Sequence, residues 1–216
     1  MTFNKTAIIA GALAISATVS VADSARVGAG FSMFGPTVEA QIPLTDSLTV
    51  RGSLAAGLSA TGTTTADGLD YSVDATIGAT TLMATYHLPV GMRVSGGFLM
   101  SNTSINGSVS SGGGDTIGGF VIPSPFTVES TTEFANSISP MATFGFDIPV
   151  LGMVLSTDVG FVNTGGFDVT LTETTATPVI SAVDATALST AEATIESELS
   201  QYDYIPYFSL MVGKWF

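Results

Sequence analysis

Arg51, Arg93, Glu39, Asp147 and Asp158 are the charges whose placement suggests chemistry. Each sits in an alternating stretch, on the parity that carries Ser, Thr, Gly or Gln, opposite Leu, Val, Ile or Phe. If that polar side is enclosed, the five must meet as ion pairs, because an isolated buried charge is too costly to keep. The expected arrangement is an internal ion-pair layer that packs a lumen; a gated path for a solute is the alternative. His87 is the single histidine, so a multi-histidine metal site is excluded. It precedes a turn, where a structural or interfacial role is expected rather than a base for a serine nucleophile. Glu129 and Glu133 share one strand face and could hold a divalent cation with loop carboxylates. Their spacing matches no calcium loop, so solvated acidic loops are the expectation. The glycine-rich "SGGGD" (111–115) is followed by no GK[ST] and reads as loop, not phosphate cradle. No catalytic residue, metal or cofactor is expected.

The elements that must position these charges are strands. The chain is 45% hydrophobic and 11% charged, with mean hydropathy +0.49. Beyond the N-terminus it has no apolar run long enough for a spanning helix. A closed β-barrel is the other structure that satisfies every backbone group in lipid; a secreted β-sandwich is the soluble alternative. Period-2 alternation marks eight strands. They are "RVGAGFSMF", "TVEAQIPL", "LTVRGSLAAGLSA", "YSVDATIGATTLMATYHL", "MRVSGGFLMS", "FANSISPMATFGFDI", "MVLSTDVGFV" and the closing Tyr204–Phe216 stretch. In the fourth the frame blurs around Thr80-Thr81, as a bulge would make it. Short turns, "LTDS", "PVG" and "PVLG", alternate with longer connections near 61–70, 109–126 and 172–203. Short turns on one rim and long loops on the other suit an outer-membrane barrel of about eight strands, with both termini on the short-turn rim.

Residues 1–22 read as a signal peptide: Lys5, the run "AIIAGALAISATVSVA", and a small-residue site at Ser20-Val21-Ala22. Residues 23–216 then form the barrel, with four basic and eighteen acidic residues, a net charge of −14. That balance excludes nucleic acid as a partner. Cysteine is absent, which excludes disulfides and thiolate metal sites. Every basic residue of 23–216 (Arg26, Arg51, Arg93, Lys214) falls near the short-turn rim. The outer end carries acids alone, a field that favours cations. Ser189 with Glu192 resembles a capping box, and Leu188, Ala191, Ile195 and Leu199 follow helical spacing. One short amphipathic helix is expected from about Thr190 to Gln201, its apolar stripe a packing face. Trp215, Tyr204, Tyr207 and Phe216 read as interfacial aromatics.

Taken in order, the glycine-alternating opening, "VEAQIPLTDSLTVRGS", "YHLPVGMRVSGGFLMSN", "STDVGFVNTGG" and "AEATIESELSQYDYIPYFSLMVGKWF" cover nearly all of residues 23–216. In these pieces the chain resembles small proteobacterial outer-membrane β-barrel proteins, a largely uncharacterised, terminal-Phe family. The resemblance implies that Phe208, Leu210, Val212 and Phe216 form the signal read by the barrel-assembly machinery. Lys214 stands where the family often has Tyr. The resemblance carries over no catalytic residues. The expected partners are outer-membrane lipid and, during insertion, that machinery, with the protein a monomer in the outer membrane of a Gram-negative bacterium. The expected role is structural or surface interaction. A narrow passive channel for small cationic or apolar solutes comes second, and a lipid-modifying barrel enzyme third.

Overall fold

The computed structural model describes residues 25–66, 69–112, 115–117, 120–122, 125–174, 182–199 and 202–216. The expected signal peptide lies outside them. In chain order the strands are β1 (Arg26–Ser32), β2 (Gly35–Pro43), β3 (Leu48–Ala66), β4 (Leu69–His87), β5 (Met92–Ser101), β6 (Ser104–Ser111), β7 (Asp115–Ile117) and β8 (Phe120–Ile122). They continue as β9 (Phe126–Phe134), β10 (Ile138–Val150), β11 (Met153–Asn163), β12 (Phe167–Glu173) and β13 (Tyr204–Trp215), with helix α1 (Ala182–Leu199) between the last two.

Eight strands close on themselves, all antiparallel, in the order β1-β2-β3-β4-β5-β10-β11-β13 and back to β1. These are the eight that the alternation picks out. Arg26 pairs with Trp215, so the first and last barrel strands end on one rim. Outside, Phe31, Leu54, Leu82, Phe98, Phe144, Phe161 and Phe208 are exposed. Inside, Arg51, Ser53, Thr81, Thr85, Ser95, Ser139 and Asp158 are buried. A polar inside and an apolar outside invert the soluble arrangement and are those of a transmembrane barrel. Among the described residues no helix is long and apolar enough to cross a membrane; the strands do the spanning.

β3 and β4 have 19 residues each, about twice the 9–11 that a crossing strand needs. Their outer halves leave the barrel. There β4 pairs with β6, β6 with β9 and β9 with β12, giving a five-stranded wall, β3-β4-β6-β9-β12, above one side of the rim. The connections expected near 61–70 and 109–126 are therefore partly strand. The first is Thr-rich and so β-forming, the second is rich in Gly and Ser, and both lack the apolar alternation that marks the barrel.

The wall reverses the facing rule. In β4 the even positions Leu82, Ala84 and Tyr86 face outward in the barrel. Above it the odd positions Tyr71, Val73, Ala75 and Ile77 are the apolar ones, on the side that continues the lumen lining, and Ile77 packs on the lumen core. Thr80 and Thr81 pair regularly with Leu54 and Ser53, so the expected bulge is absent there. The bulge lies in β3, between Ala55 and Leu58. Gly57 takes φ +87°, a conformation that glycine enters without strain, and a Cβ there would press on the Ile77 carbonyl. Both strands thus move their apolar side chains from outer to inner face at one height. β4 does it by changing sequence parity. β3 keeps its parity and inserts a residue, so Leu58 joins the inner side instead of continuing the outer face of Leu54. Below that height the outer face is the apolar belt of a transmembrane barrel, and above it the same face carries Thr, Ser and Asp, a pattern that suits lipid below and water above.

The helix also departs from expectation. It begins at Ala182, so Ser189 lies within the helix and not at its N-terminus; the preceding Ala182–Leu188 stretch is rich in good helix formers. Gln201 lies outside the described residues. Ile195 is exposed, and two carboxylates reach the sheet. Glu192 accepts from the Leu171 amide at 2.6 Å and Glu196 from the Val169 amide at 3.2 Å. One turn of helix thereby satisfies alternate donors on the edge of β12.

The chain has no cysteine, so single-cysteine variants report on the height directly. In bilayers, Leu82→Cys and Phe98→Cys are predicted to resist a membrane-impermeant maleimide, while Thr63→Cys and Asp74→Cys react at once. Equal reactivity at Leu82 and Thr63 would contradict the assigned boundary.

Candidate functional site: a ring of charges across the lumen

Six barrel strands each send one charged side chain into the lower lumen: Arg26 from β1, Glu39 from β2, Arg51 from β3, Arg93 from β5, Asp147 from β10 and Asp158 from β11. They meet in a closed circuit of alternating sign. Arg26 reaches Glu39 at 3.2 Å, and Glu39 reaches Arg51 at 3.4 Å. Arg51 meets Asp158 at 2.7 Å, and Asp158 meets Arg93 at 2.7 Å. Arg93 joins Asp147 at 2.7 Å, and Asp147 returns to Arg26 at 3.2 Å. Each arginine bridges two carboxylates, and each carboxylate bridges two arginines. Three positive and three negative charges leave the ring neutral.

Five members of the ring are buried and the sixth is not fully so: Arg51 and Arg93 are 0% exposed and Asp158 1%, while the Asp147 side chain keeps 16% exposure on the side of His87. Lone pairs left over by the ion pairs are taken by neutral neighbours. Ser209 Oγ donates to Asp158 at 3.0 Å, Gln41 Nε2 to Glu39 at 2.8 Å, and Ser156 Oγ to Asp147. Arg51 also donates to Ser95 Oγ at 3.2 Å, which is linked to Thr85 at 2.9 Å. Arg93 grips Asp158 with two nitrogens, Nε at 3.1 Å and Nη2 at 2.7 Å. This planar two-point contact is specific to arginine. Gly145, between the two on β10, leaves them room: a Cβ there would stand 2.5 Å from Asp158 Oδ1 and 3.1 Å from Arg93 Nε.

Above the ring the lumen turns apolar. Phe34, Met83, Leu99, Met141, Val162 and Tyr207 form a buried cluster, with Met33, Phe134 and Ile205 against it. Phe34 lies in the β1–β2 turn and folds back into the mouth, its ring centroid 6.4 Å from that of Tyr207. Tyr207 is thus a lumen residue, not an interfacial aromatic. Its odd position places it with Ser209 and Met211, and its size fills the interior. Tyr204 and Phe216 remain exposed, and Trp215 sits with Arg26 5.7 Å from its ring. Phe208, Leu210 and Val212 point outward.

Below the ring, at the short-turn rim, is a cavity of about 600 Å³ lined by Pro43, Leu44, Thr45, Asp46, Thr49, His87 and Trp215. His87 Nε2 lies 3.1 Å from Thr49 Oγ1, and Nδ1 lies 3.8 Å from Asp147 Oδ2. The histidine therefore borders the ring from beneath.

The structure unites all five charges singled out in the sequence and adds Arg26. Arg26 has the right parity, but as the first residue of its strand it looked like a rim position. The sign arithmetic was the missed signal: three carboxylates on that face call for three arginines. Glu129 and Glu133 stand on the polar face of the wall, Glu133 directly opposite Asp168. Among the described residues, no three or more His, Asp or Glu side chains are grouped to hold a metal.

No protein-family model matches the chain, and no curated protein does. Solved structures do. The fold is similar to that of two CarO proteins of Acinetobacter baumannii. The crystal structure of CarO aligns with TM-score 0.54 at 15% identity over 91% of this chain and 98% of that one. The crystal structure of CarO2 aligns with TM-score 0.53 at 17% identity over 89% and 97%. At such identities the likeness is one of fold.

Opening the ring leaves a buried charge without a partner. Asp158→Asn is predicted to cost about 3–5 kcal/mol, read as a lowered urea midpoint of the refolded barrel. Asp74→Asn on the wall should leave that midpoint where it is. Equal midpoints for Asp158→Asn and the parent protein would show that the ring carries no structural burden.

Proposed function

We propose that this chain is an integral outer-membrane β-barrel whose closed lumen serves as a rigid pedestal for the wall above it, with a structural or surface-interaction role. The observation that carries this reading is the ring, complete, neutral and roofed by the Phe34–Tyr207 cluster. An eight-stranded barrel has an interior that side chains can fill, and here they do. The outward belt supports lipid as the surrounding medium. The apolar, outward-facing Phe208, Leu210 and Val212 leading to Phe216 fit the assembly signal that the family resemblance implies. The fold shared with the CarO proteins supports the outer membrane as the location. The reading takes the protein as a monomer with no catalytic role.

A narrow channel for small cationic or apolar solutes is the second reading. The cavity under the ring and the acidic outer end favour it, but it requires the ring to open. The reading of a lipid-modifying enzyme would rest on His87 and Thr49, and a lipid-hydrolysis activity lost in His87→Ala would support it.

Planar-bilayer recording separates the first two. The refolded protein is predicted to give no conductance steps, and the double variant Phe34→Ala/Arg51→Ala to give small ones. Regular steps from the parent protein, altered by Arg93→Ala, would replace the pedestal reading with the channel.

A further inference from the structure

The wall has two vertical edges, and they are treated differently. The β12 edge is sealed, since the Glu192 and Glu196 carboxylates of α1 take the Leu171 and Val169 amides. The other edge is the outer half of β3, "LSATGTTTA" (58–66). In the barrel, β3 is flanked by β2 and β4. β2 pairs only up to Ala55, so from Leu58 onward β3 has β4 on one side and, among the described residues, no strand on the other. Residues 59–65 are all exposed.

Free edges are ordinarily blunted by lysine, proline, a mid-edge bulge or brevity. This one has nine residues with no charge and no proline, and its bulge lies below it at Gly57. Such an edge presents a row of outward amide and carbonyl groups to an incoming strand.

We infer that the β3 edge accepts an extended segment of another protein by strand addition, and that this segment alternates basic with apolar side chains. The inference rests on the proposal that the wall stands outside the bilayer. The alternation follows from the faces. A strand laid beside β3 puts every second side chain next to Thr61, Thr63 and Thr65. One strand further lie Asp74, opposite Thr61, and Asp70, opposite Thr65. Thr65 Oγ1 holds Asp70 Oδ1 at 2.7 Å. The gap is two strand spacings, roughly 10 Å, which a Lys or Arg side chain largely spans. The remaining side chains lie beside Leu58 and Ala60 on the apolar face. Charge decides against a second copy as the occupant. The chain has no Lys or Arg anywhere between Arg93 and Lys214 or between Arg51 and Arg93, so two walls would meet acid to acid.

The test uses the full refolded barrel in nanodiscs of zwitterionic lipid, with empty nanodiscs as baseline. The probe is a fluorescent nine-residue peptide alternating Lys and Val, and binding is followed by anisotropy. Two further peptides are N-methylated, one on every Lys amide and one on every Val amide. Only one set of amides faces β3, so one methylated peptide should lose at least about tenfold in affinity while the other binds as the parent does. Asp70→Asn/Asp74→Asn should weaken binding of the parent peptide and flatten its salt dependence. Equal behaviour of the two methylated peptides, affinity untouched by the aspartate variants, no binding above baseline, or self-association of the barrel through β3 would each overturn the inference. A failure here in a barrel that stays silent in bilayers would leave the pedestal reading standing. A conducting barrel that passes this test would remove the pedestal alone.

Discussion

A carboxylate buried in a narrow lumen cannot be left with half a partner. That constraint organises the lower barrel. Asp158 meets arginines from β3 and β5, strands far from its own in sequence, and the pattern repeats until the circuit closes. Six of the eight barrel strands are held at one level by it. Buried ion pairs add little net stability but cost much when broken, so a closed neutral ring acts as a register device: a strand slipped by two residues would strand its charge among the Met and Phe of the layer above. The Gly145 gap and the Ser209, Ser156 and Gln41 donors serve the same end.

A filled base makes the rest intelligible. With the ring below and Phe34 folded in from above, the lumen becomes a core. In the proposed reading the barrel is then a support, and what it supports is the wall. On one side of β4, exposed Leu82 belongs to the apolar belt and exposed Asp74 to the polar wall. β3 meets the change with a bulge at Gly57, whereas β4 meets it with a shift of sequence parity. The two solutions have the same physical content. The wall then needs its edges managed, and α1 manages one with two carboxylates a helical turn apart.

The barrel was legible because its rule is simple. Eight strands, their facing, the common rim of Arg26 and Trp215, and five of the six ring charges follow from period-2 alternation. Above the barrel the rule changes, and alternation alone no longer tells inside from outside. The Thr80-Thr81 blur suggests a bulge because a parity shift and an inserted residue look alike in one dimension. The outer end of β3, Thr61–Ala66, reads as a loop because a run of Thr, Gly and Ala carries no apolar alternation. Phe34, Tyr207 and the start of α1 were missed for related reasons. Each is set by what it packs against, and that neighbour is distant in sequence.

The ring itself can be observed in lipid. Magic-angle-spinning NMR with ¹⁵N-labelled arginine and ¹³C-labelled carboxylates would report each guanidinium–carboxylate contact. Six are predicted: Arg26 with Glu39 and Asp147, Arg51 with Glu39 and Asp158, Arg93 with Asp158 and Asp147. Seeing all six, with guanidinium protons slow to exchange, would establish the closed circuit. A missing pair of contacts at any one arginine, together with fast exchange there, would mean an open ring and a wet lumen.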